Sequence, residues 1–295
     1  MSLTNDAVRD RDLAVLWHPT TQMKDHEWLP LLPVKRGRGV WLEDFEGGRY
    51  IDAISSWWVN LFGHANPHIS AAVARQAQEL EHVILAGVTH EPAVRLAERL
   101  VDITPVGLDR VFFADSGSGA VEIALKMSFH YWRNQGENGR TKFLTLTHSY
   151  HGETLGTLAV GDAGLFKEAY EPLLMESIFA PSPDCSGLDP ADWDSHATAR
   201  LAELEAVLRE HAETVCAVII EPLVQCAGGM RMHPPSWIRG LRTLCDRYRV
   251  HLIADDIAVG FGRTGSLFAC DQAGVSPDFM CLSKGLTGGY LPMSA

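Results

Sequence analysis

From Arg110 onward, short apolar runs alternate with longer amphipathic ones, and this alternation restricts the chain to very few folds. Strand-like runs lie at 111–114, 142–147, 217–221, 251–255 and 279–282. Helix-period stretches at 118–134, 200–211 and 236–248 separate several of them. Strands joined through helices need crossovers, and these are right-handed. The expected class is therefore α/β, a mostly parallel sheet with helices on both faces. Ligands in such sheets bind outside the carboxyl ends of the strands, so the residues just after each strand are the candidates for chemistry.

The N-terminal part reads differently. Two β-type runs, 40–44 and 49–53, flank Gly47-Gly48, which is a hairpin signal. Amphipathic helix patterns follow at 67–82 and 91–103. The final residues, Tyr290-Leu291-Pro292-Met293-Ser294-Ala295, are mostly apolar and carry no helix cap or polar tail. They read as a cut through a folded element.

Charge and targeting narrow the partners. The net charge of −12 and pI near 5.5 repel nucleic acid phosphates and anionic membranes, so neither is an expected partner. No signal peptide or long apolar stretch opens the chain, and a cytoplasmic location is expected. Of the six cysteines, none forms a C-x-x-C pair, and Cys216 and Cys281 lie inside apolar runs. Buried free thiols are expected, with no metal site.

Four elements carry chemistry, each after a strand-like run. The loop Asp115-Ser116-Gly117-Ser118-Gly119 opens a helix, where free N–H groups and the positive dipole end can hold a phosphate. Plain N-capping by a serine explains the same residues. Ser149-Tyr150-His151-Gly152 offers a ring that could stack on a planar cofactor, although a Tyr-His pair in a turn is as readily packing. Asp255 ends a buried apolar strand, where a carboxylate needs a partner; a protonated pyridine nitrogen is one, and loop N–H groups are another. Lys284 ends another apolar strand between small residues, where desolvation lowers its pKa and frees the amine as a nucleophile toward an aldehyde. Gly260-Phe261-Gly262-Arg263-Thr264-Gly265 fits a dinucleotide fingerprint, but no long helix pattern follows the third glycine and the acid, Asp278, precedes the next strand.

Together these residues resemble the class III aminotransferases of pyridoxal phosphate fold type I. The run Leu252-Ile253-Ala254-Asp255-Asp256-Ile257-Ala258-Val259-Gly260-Phe261-Gly262-Arg263-Thr264-Gly265 and then Ser283-Lys284-Gly285-Leu286-Thr287-Gly288-Gly289 is similar to the signature of that class. Trp17-His18-Pro19, Ser55-Ser56-Trp57-Trp58, Ile220-Glu221-Pro222 and Gly228-Gly229-Met230-Arg231-Met232 are most similar to the members that serve biotin biosynthesis. For those members the resemblance implies S-adenosylmethionine as amino donor and 8-amino-7-oxononanoate as acceptor. It implies that Lys284 forms the Schiff base with pyridoxal 5′-phosphate, that Asp255 pairs with the pyridine nitrogen, and that Gly117 and Ser118 hold the phosphate. Tyr150 would stack near the ring and touch substrate, Glu221 would lie near the ring hydroxyl, and Trp57 with Trp58 would line the substrate pocket. Another ω-amino-acid or diamine aminotransferase, or a chain without activity, are the alternatives.

The resemblance also implies a homodimer and a two-part chain. Residues 1–62 would be an arm and part of a small α+β domain, and 63–295 a large cofactor domain. Members of the class continue beyond the position of Ala295, so a truncated chain is expected, lacking the C-terminal small domain. That continuation carries a threonine reaching the partner's phosphate and an arginine for a substrate carboxylate. Two residues depart from the pattern: Asp256 stands where the class has Glu, and Thr20 where some members have a substrate-contacting Tyr.

Overall fold

The computed structural model describes residues 3–295. They form two compact units, Met1–His82 and Val83–Ala295. In the first, the helix α1 (Asn5–Val15) is capped by Thr4, whose side chain accepts from the Ala7 N–H. Strands β1 (Val34–Arg38), β2 (Trp41–Asp44) and β3 (Arg49–Ile51) make an antiparallel sheet in that order. The expected hairpin is β2–β3, and the buried Asp44 builds its turn. Its Oδ1 accepts from the Glu46 and Gly48 N–H groups at 2.9 and 2.7 Å. Strand β1, Val-Lys-Arg-Gly-Arg, gives no apolar alternation and is imposed by pairing with β2. Trp41 and Tyr50 are both exposed, Trp41 beneath the Arg49 guanidinium at 4.4 Å.

After β3, the element α2 (Ser55–Trp58) is a single turn wound in the left-handed sense, with φ of +51, +47, +62 and +66°. L-residues pay roughly 1–2 kcal/mol each for that conformation, so four in a row require outside support. The helix α3 (Pro67–Glu79) follows, started by Pro67 and capped by Asn66, whose side chain accepts from the His68 and Ile69 N–H groups.

In the second unit, α4 (Glu91–Ile103) and α5 (Gly117–Asn134) precede the first strand of a five-stranded sheet. Its strands are β4 (Lys142–Leu146), β5 (Ile178–Ala180), β6 (Val215–Ile220), β9 (His251–Asp255) and β10 (Phe279–Cys281). All neighbours are parallel, in the order β10-β9-β6-β4-β5. Between them lie α6 (Leu155–Ala159), a small hairpin β7 (Val224–Gln225) and β8 (Arg231–Met232), and the helices α7 (Trp193–His211), α8 (Pro235–Tyr248) and α9 (Ala269–Ala273). Period-two alternation sorts the strand side chains onto two faces. Leu144, Leu146, Val218, Ile220 and Leu252 pack with Leu204 and Leu208 of α7 and Trp237 and Leu241 of α8. Phe143, Ala217, Ile219 and Ile253 pack on the other face with Val121, Leu125 and Trp132 of α5. Each of the larger residues contributes about 1.5–3 kcal/mol of burial.

The expected strand at 111–114 does not form. Only Ala114 makes a bridge, to Ser294, because its flanking residues have no extended neighbour to pair with. Ala295 in turn exchanges two hydrogen bonds with Leu282 just beyond β10. Five of the six cysteines are buried, and Cys226 is half-buried. Among the described residues no helix is long and apolar enough to cross a membrane.

A buried cation ties the far end of the sheet together. Arg140 donates to the Ala212 and Val215 carbonyls at 2.9 and 2.7 Å, pairs with Glu137 at 2.6 Å and stacks 4.1 Å over Trp132. Replacing it removes the donor to two carbonyls and a partner of Glu137. Arg140→Met is expected to lower the unfolding free energy by roughly 2–4 kcal/mol, read from urea denaturation. A loss within error of zero would show that the guanidinium is dispensable.

Candidate active site

Because the sheet is parallel, β4, β6, β9 and β10 deliver their carboxyl ends to one edge. Tyr150 and His151 follow β4, Glu221 follows β6, Asp255 ends β9, and Lys284 follows β10 by three residues. The start of α5 is held at the same edge. Ser294 Oγ donates to the Ser116 carbonyl at 2.6 Å, while Ala295 pairs with Leu282.

Asp255 is the fixed point of this edge. It is buried, one oxygen accepting from the Ile257 N–H at 3.1 Å and the other lying 2.8 Å from His151 Nδ1. A carboxylate oxygen accepts, so in this bond the His151 Nδ1–H is the donor. Nε2 of His151 is buried and has no partner among the described residues. His151 therefore does more than pack, as the Tyr-His turn alone allowed. Its signal in the sequence was a ring beside a strand end; its partner lies 104 residues away.

Glu221 is buried as well. It accepts the Tyr150 N–H at 3.0 Å and the Cys226 N–H at 2.9 Å. Burial pushes its carboxyl up to about 7, and the attraction of His151 only partly opposes that rise. The Tyr150 hydroxyl donates to Glu153 at 3.0 Å and is raised by burial, then by the Glu153 charge. Burial lowers the Lys284 amine, against the pull of Asp255, Cys226 and Glu221. Lys284 also has φ of +41°, an uncommon backbone for a lysine.

At the mouth of α5, Ser116 caps the helix by accepting the Gly119 N–H at 3.1 Å. The Gly117 and Ser118 N–H groups precede the first intrahelical bond, so the helix geometry gives them no acceptor of its own. Ser118 reaches the loop after β4, where its Oγ accepts from the Glu153 N–H at 3.4 Å. Gly152 has φ of +127°, and any Cβ on it would overlap Ser118 Oγ. Ser116 thus does the capping, while the Gly117 and Ser118 N–H groups are left without an intrahelical acceptor.

These residues fit pyridoxal 5′-phosphate. Two N–H groups and a hydroxyl suit a phosphate, a buried carboxylate suits a ring N–H, and a lysine of lowered pKa suits an aldehyde. The glycine-rich 260–265 segment does not suit a dinucleotide. It runs through turns, with Phe261, Gly262 and Gly265 at positive φ, and the next helix, Ala269–Ala273, has five residues. Trp57 and Trp58 lie on α2 in the N-terminal unit, Trp57 being 57% exposed.

A parallel α/β sheet with such a strand-end lysine and carboxylate defines a pyridoxal phosphate type of fold. The chain belongs to the class-III aminotransferase family, whose model matches residues 22–295. It is 47% identical over 285 residues to the adenosylmethionine-8-amino-7-oxononanoate aminotransferase of Helicobacter pylori, covering 96% of this chain and 63% of that protein. A solved structure of the Methanocaldococcus jannaschii protein of that name superposes with a TM-score of 0.91 at 39% identity, covering 99% of this chain and 65% of the other. The ω-transaminase of Pseudomonas jessenii, solved in complex with PMP, gives a TM-score of 0.91 at 29% identity, over 97% and 64% of the two chains. The chain thus spans less than two thirds of the length of these relatives.

Beside Asp255 stands Asp256, one of the two residues expected to depart from the class pattern. It is fully buried, its Oδ1 accepts the Ala269 N–H at 3.1 Å, and Oδ2 has no partner among the described residues. Burial pushes its carboxyl up to about 7, like that of Glu221. In an unfolded chain both groups release their protons near pH 4. The folded chain therefore holds protons that the unfolded chain has lost, and the resulting stability is complete below about pH 4 and is lost as the pH rises through about 7. Each group contributes a slope of at most about 1.4 kcal/mol per pH unit. The cofactor-free chain is expected to lose urea resistance between about pH 5 and 7, and Asp256→Asn and Glu221→Gln each to flatten that decline. Parallel curves for wild type and variants would show that neither group titrates there.

Proposed function

We propose that the protein containing this chain is a pyridoxal phosphate-dependent aminotransferase that moves an amino group from S-adenosylmethionine to 8-amino-7-oxononanoate. The single observation that carries the reading is the placement of Lys284, lowered in pKa by burial, on the strand edge that also holds the buried Asp255–His151 pair. Relatives of that activity at 47% and 39% identity support the choice of substrates.

When bound, pyridoxal phosphate supplies an aldehyde and a protonated ring that accepts the electron pair left on a substrate carbon. Lys284 would hold that aldehyde, and its Nζ would be the base for the substrate Cα proton. Asp255, oriented by His151, keeps the ring nitrogen protonated. Gly117, Ser118 and the start of α5 fix the phosphate. Glu221, its carboxyl raised to about 7 by burial, would lie near the ring hydroxyl, and Tyr150 would stack near the ring and touch substrate. Trp57 and Trp58 are the residues assigned to substrate contact.

Borohydride reduction of the chain with pyridoxal phosphate, followed by peptide mapping, is expected to label Lys284 and nothing else. A label elsewhere, or none, would overturn the assignment. With the labelled site established, S-adenosylmethionine is expected to discharge the bound cofactor's absorbance in a single half-reaction. If a diamine does so and S-adenosylmethionine does not, the enzyme is an aminotransferase of different donor.

The working protein is a cytoplasmic homodimer in this reading. The family resemblance and the exposed apolar run Ile84, Leu85 and Val88 in the second unit support a partner surface. Sedimentation of the loaded protein is expected to give twice the mass of one chain; a single-chain mass at micromolar concentration would exclude it.

A further inference from the structure

The left-handed turn α2 needs outside support, and one half-buried carboxylate, that of Asp52, supplies much of it. Asp52 Oδ1 accepts the Ser56 N–H at 2.9 Å, and its Oδ2 accepts the Ser56 hydroxyl at 2.7 Å. The same Oδ2 lies 2.9 Å from His64 Nε2, and the Asp52 side chain is 7% exposed. With the Nε2–H donating to Asp52, Nδ1 of His64 is left to accept from Asn60 Nδ2, which lies 3.4 Å from both ring nitrogens. Asn60 then returns to the turn: its N–H donates to the Ser55 carbonyl, and its carbonyl accepts from Ser55 Oγ. Asp52, His64 and Asn60 thus join the two ends of the turn.

His64 is itself anchored to the small sheet. It exchanges both backbone hydrogen bonds with Gly39, at 2.8 and 3.0 Å. Its side chain lies so close to Gly37 that a Cβ there would sit 2.7 Å from His64 Cβ. Folding of the sheet therefore fixes His64, His64 fixes Asp52, and Asp52 fixes the turn. Nothing within Ser-Ser-Trp-Trp favours four positive φ angles, since serine tolerates them only singly and tryptophan poorly. Released from the clamp, the turn would rewind toward the ordinary hand and carry both indoles to new directions.

We infer that Asp52 and His64 are positioning residues that hold a left-handed turn and so aim Trp57 and Trp58 for substrate selection. The inference rests on the reading of Trp57 as a pocket wall, and its test separates the two. Fluorine NMR of fluorotryptophan-labelled protein reports the turn without cofactor or turnover, with Trp57 and Trp58 assigned through W57F and W58F. In D52N and H64Q these two resonances are expected to shift and broaden while the other six of the eight tryptophans hold their places. Adding S55G, a glycine at a φ of +51°, is expected to restore them, because glycine adopts that conformation without support. In the loaded enzyme, KM for 8-amino-7-oxononanoate is expected to rise about tenfold in D52N with kcat little changed, and to recover in D52N/S55G.

Unmoved Trp57 and Trp58 resonances in both variants would overturn the clamp, and so would a D52N chain that S55G leaves unrepaired. Shifted resonances with an unchanged KM would keep the clamp and remove Trp57 from the pocket. Should D52N fail to fold, judged by the other six resonances, H64Q carries the same test with the ring replaced by an amide donor.

Discussion

A carboxylate cannot be taken out of water unpartnered, and the second unit is arranged around the place where Asp255 has been. Its strand, β9, is flanked by β6 and β10, so the side chain emerges at the sheet's edge with no route to solvent. One oxygen is satisfied by the Ile257 N–H, which bends the chain away from the strand at once. The other requires a donor from elsewhere, and His151, at the end of the loop after β4, provides it. That bond crosses β6 and fixes how the loop after β4 must fold. Tyr150, Gly152 and Glu153 take their positions from it, and through Glu153 and Gly152 so does Ser118 at the mouth of α5.

Parallel topology makes the convergence possible. Each crossover returns the chain to the same starting edge, so four separate strand ends meet along one line. In an antiparallel sheet the same residues would alternate between opposite edges. A lysine, two carboxylic acids, a tyrosine and a histidine drawn from positions 150 to 284 are neighbours only for this reason.

Much of this was legible in the sequence because burial writes itself into composition. The runs 142–147, 217–221, 251–255 and 279–282 read as strands and proved to be strands within two residues at either end. Asp255 and Lys284 stood out because a charge closing an apolar run needs a reason. What composition does not encode stayed hidden. The run at 111–114 has strand residues, yet only Ala114 finds a partner. The segment Val34–Arg38 has no strand residues beyond Val34, yet pairs along its length with β2. The hand of α2 depends on Asp52 and His64, contacts 4 and 12 residues apart that no local propensity contains. The bond between His151 and Asp255 spans 104 residues, and only the topology brings it about.

The same desolvation that makes the site recognisable also sets its charges. It acts as the largest influence on Lys284, Glu221, Asp256, Tyr150 and Cys226, lowering the amine and raising the four acids. Each group is thereby pushed toward its uncharged form. Asp255 lies among them with a histidine ring at one oxygen and a backbone N–H at the other. Its neighbour Asp256 shows the alternative. It has one backbone N–H at one oxygen, no partner among the described residues at the other, and a pKa raised to about 7. Two adjacent aspartates thus differ in their partners: Asp255 has one at each oxygen, while Asp256 ties the end of β9 to the start of α9 through a single backbone N–H.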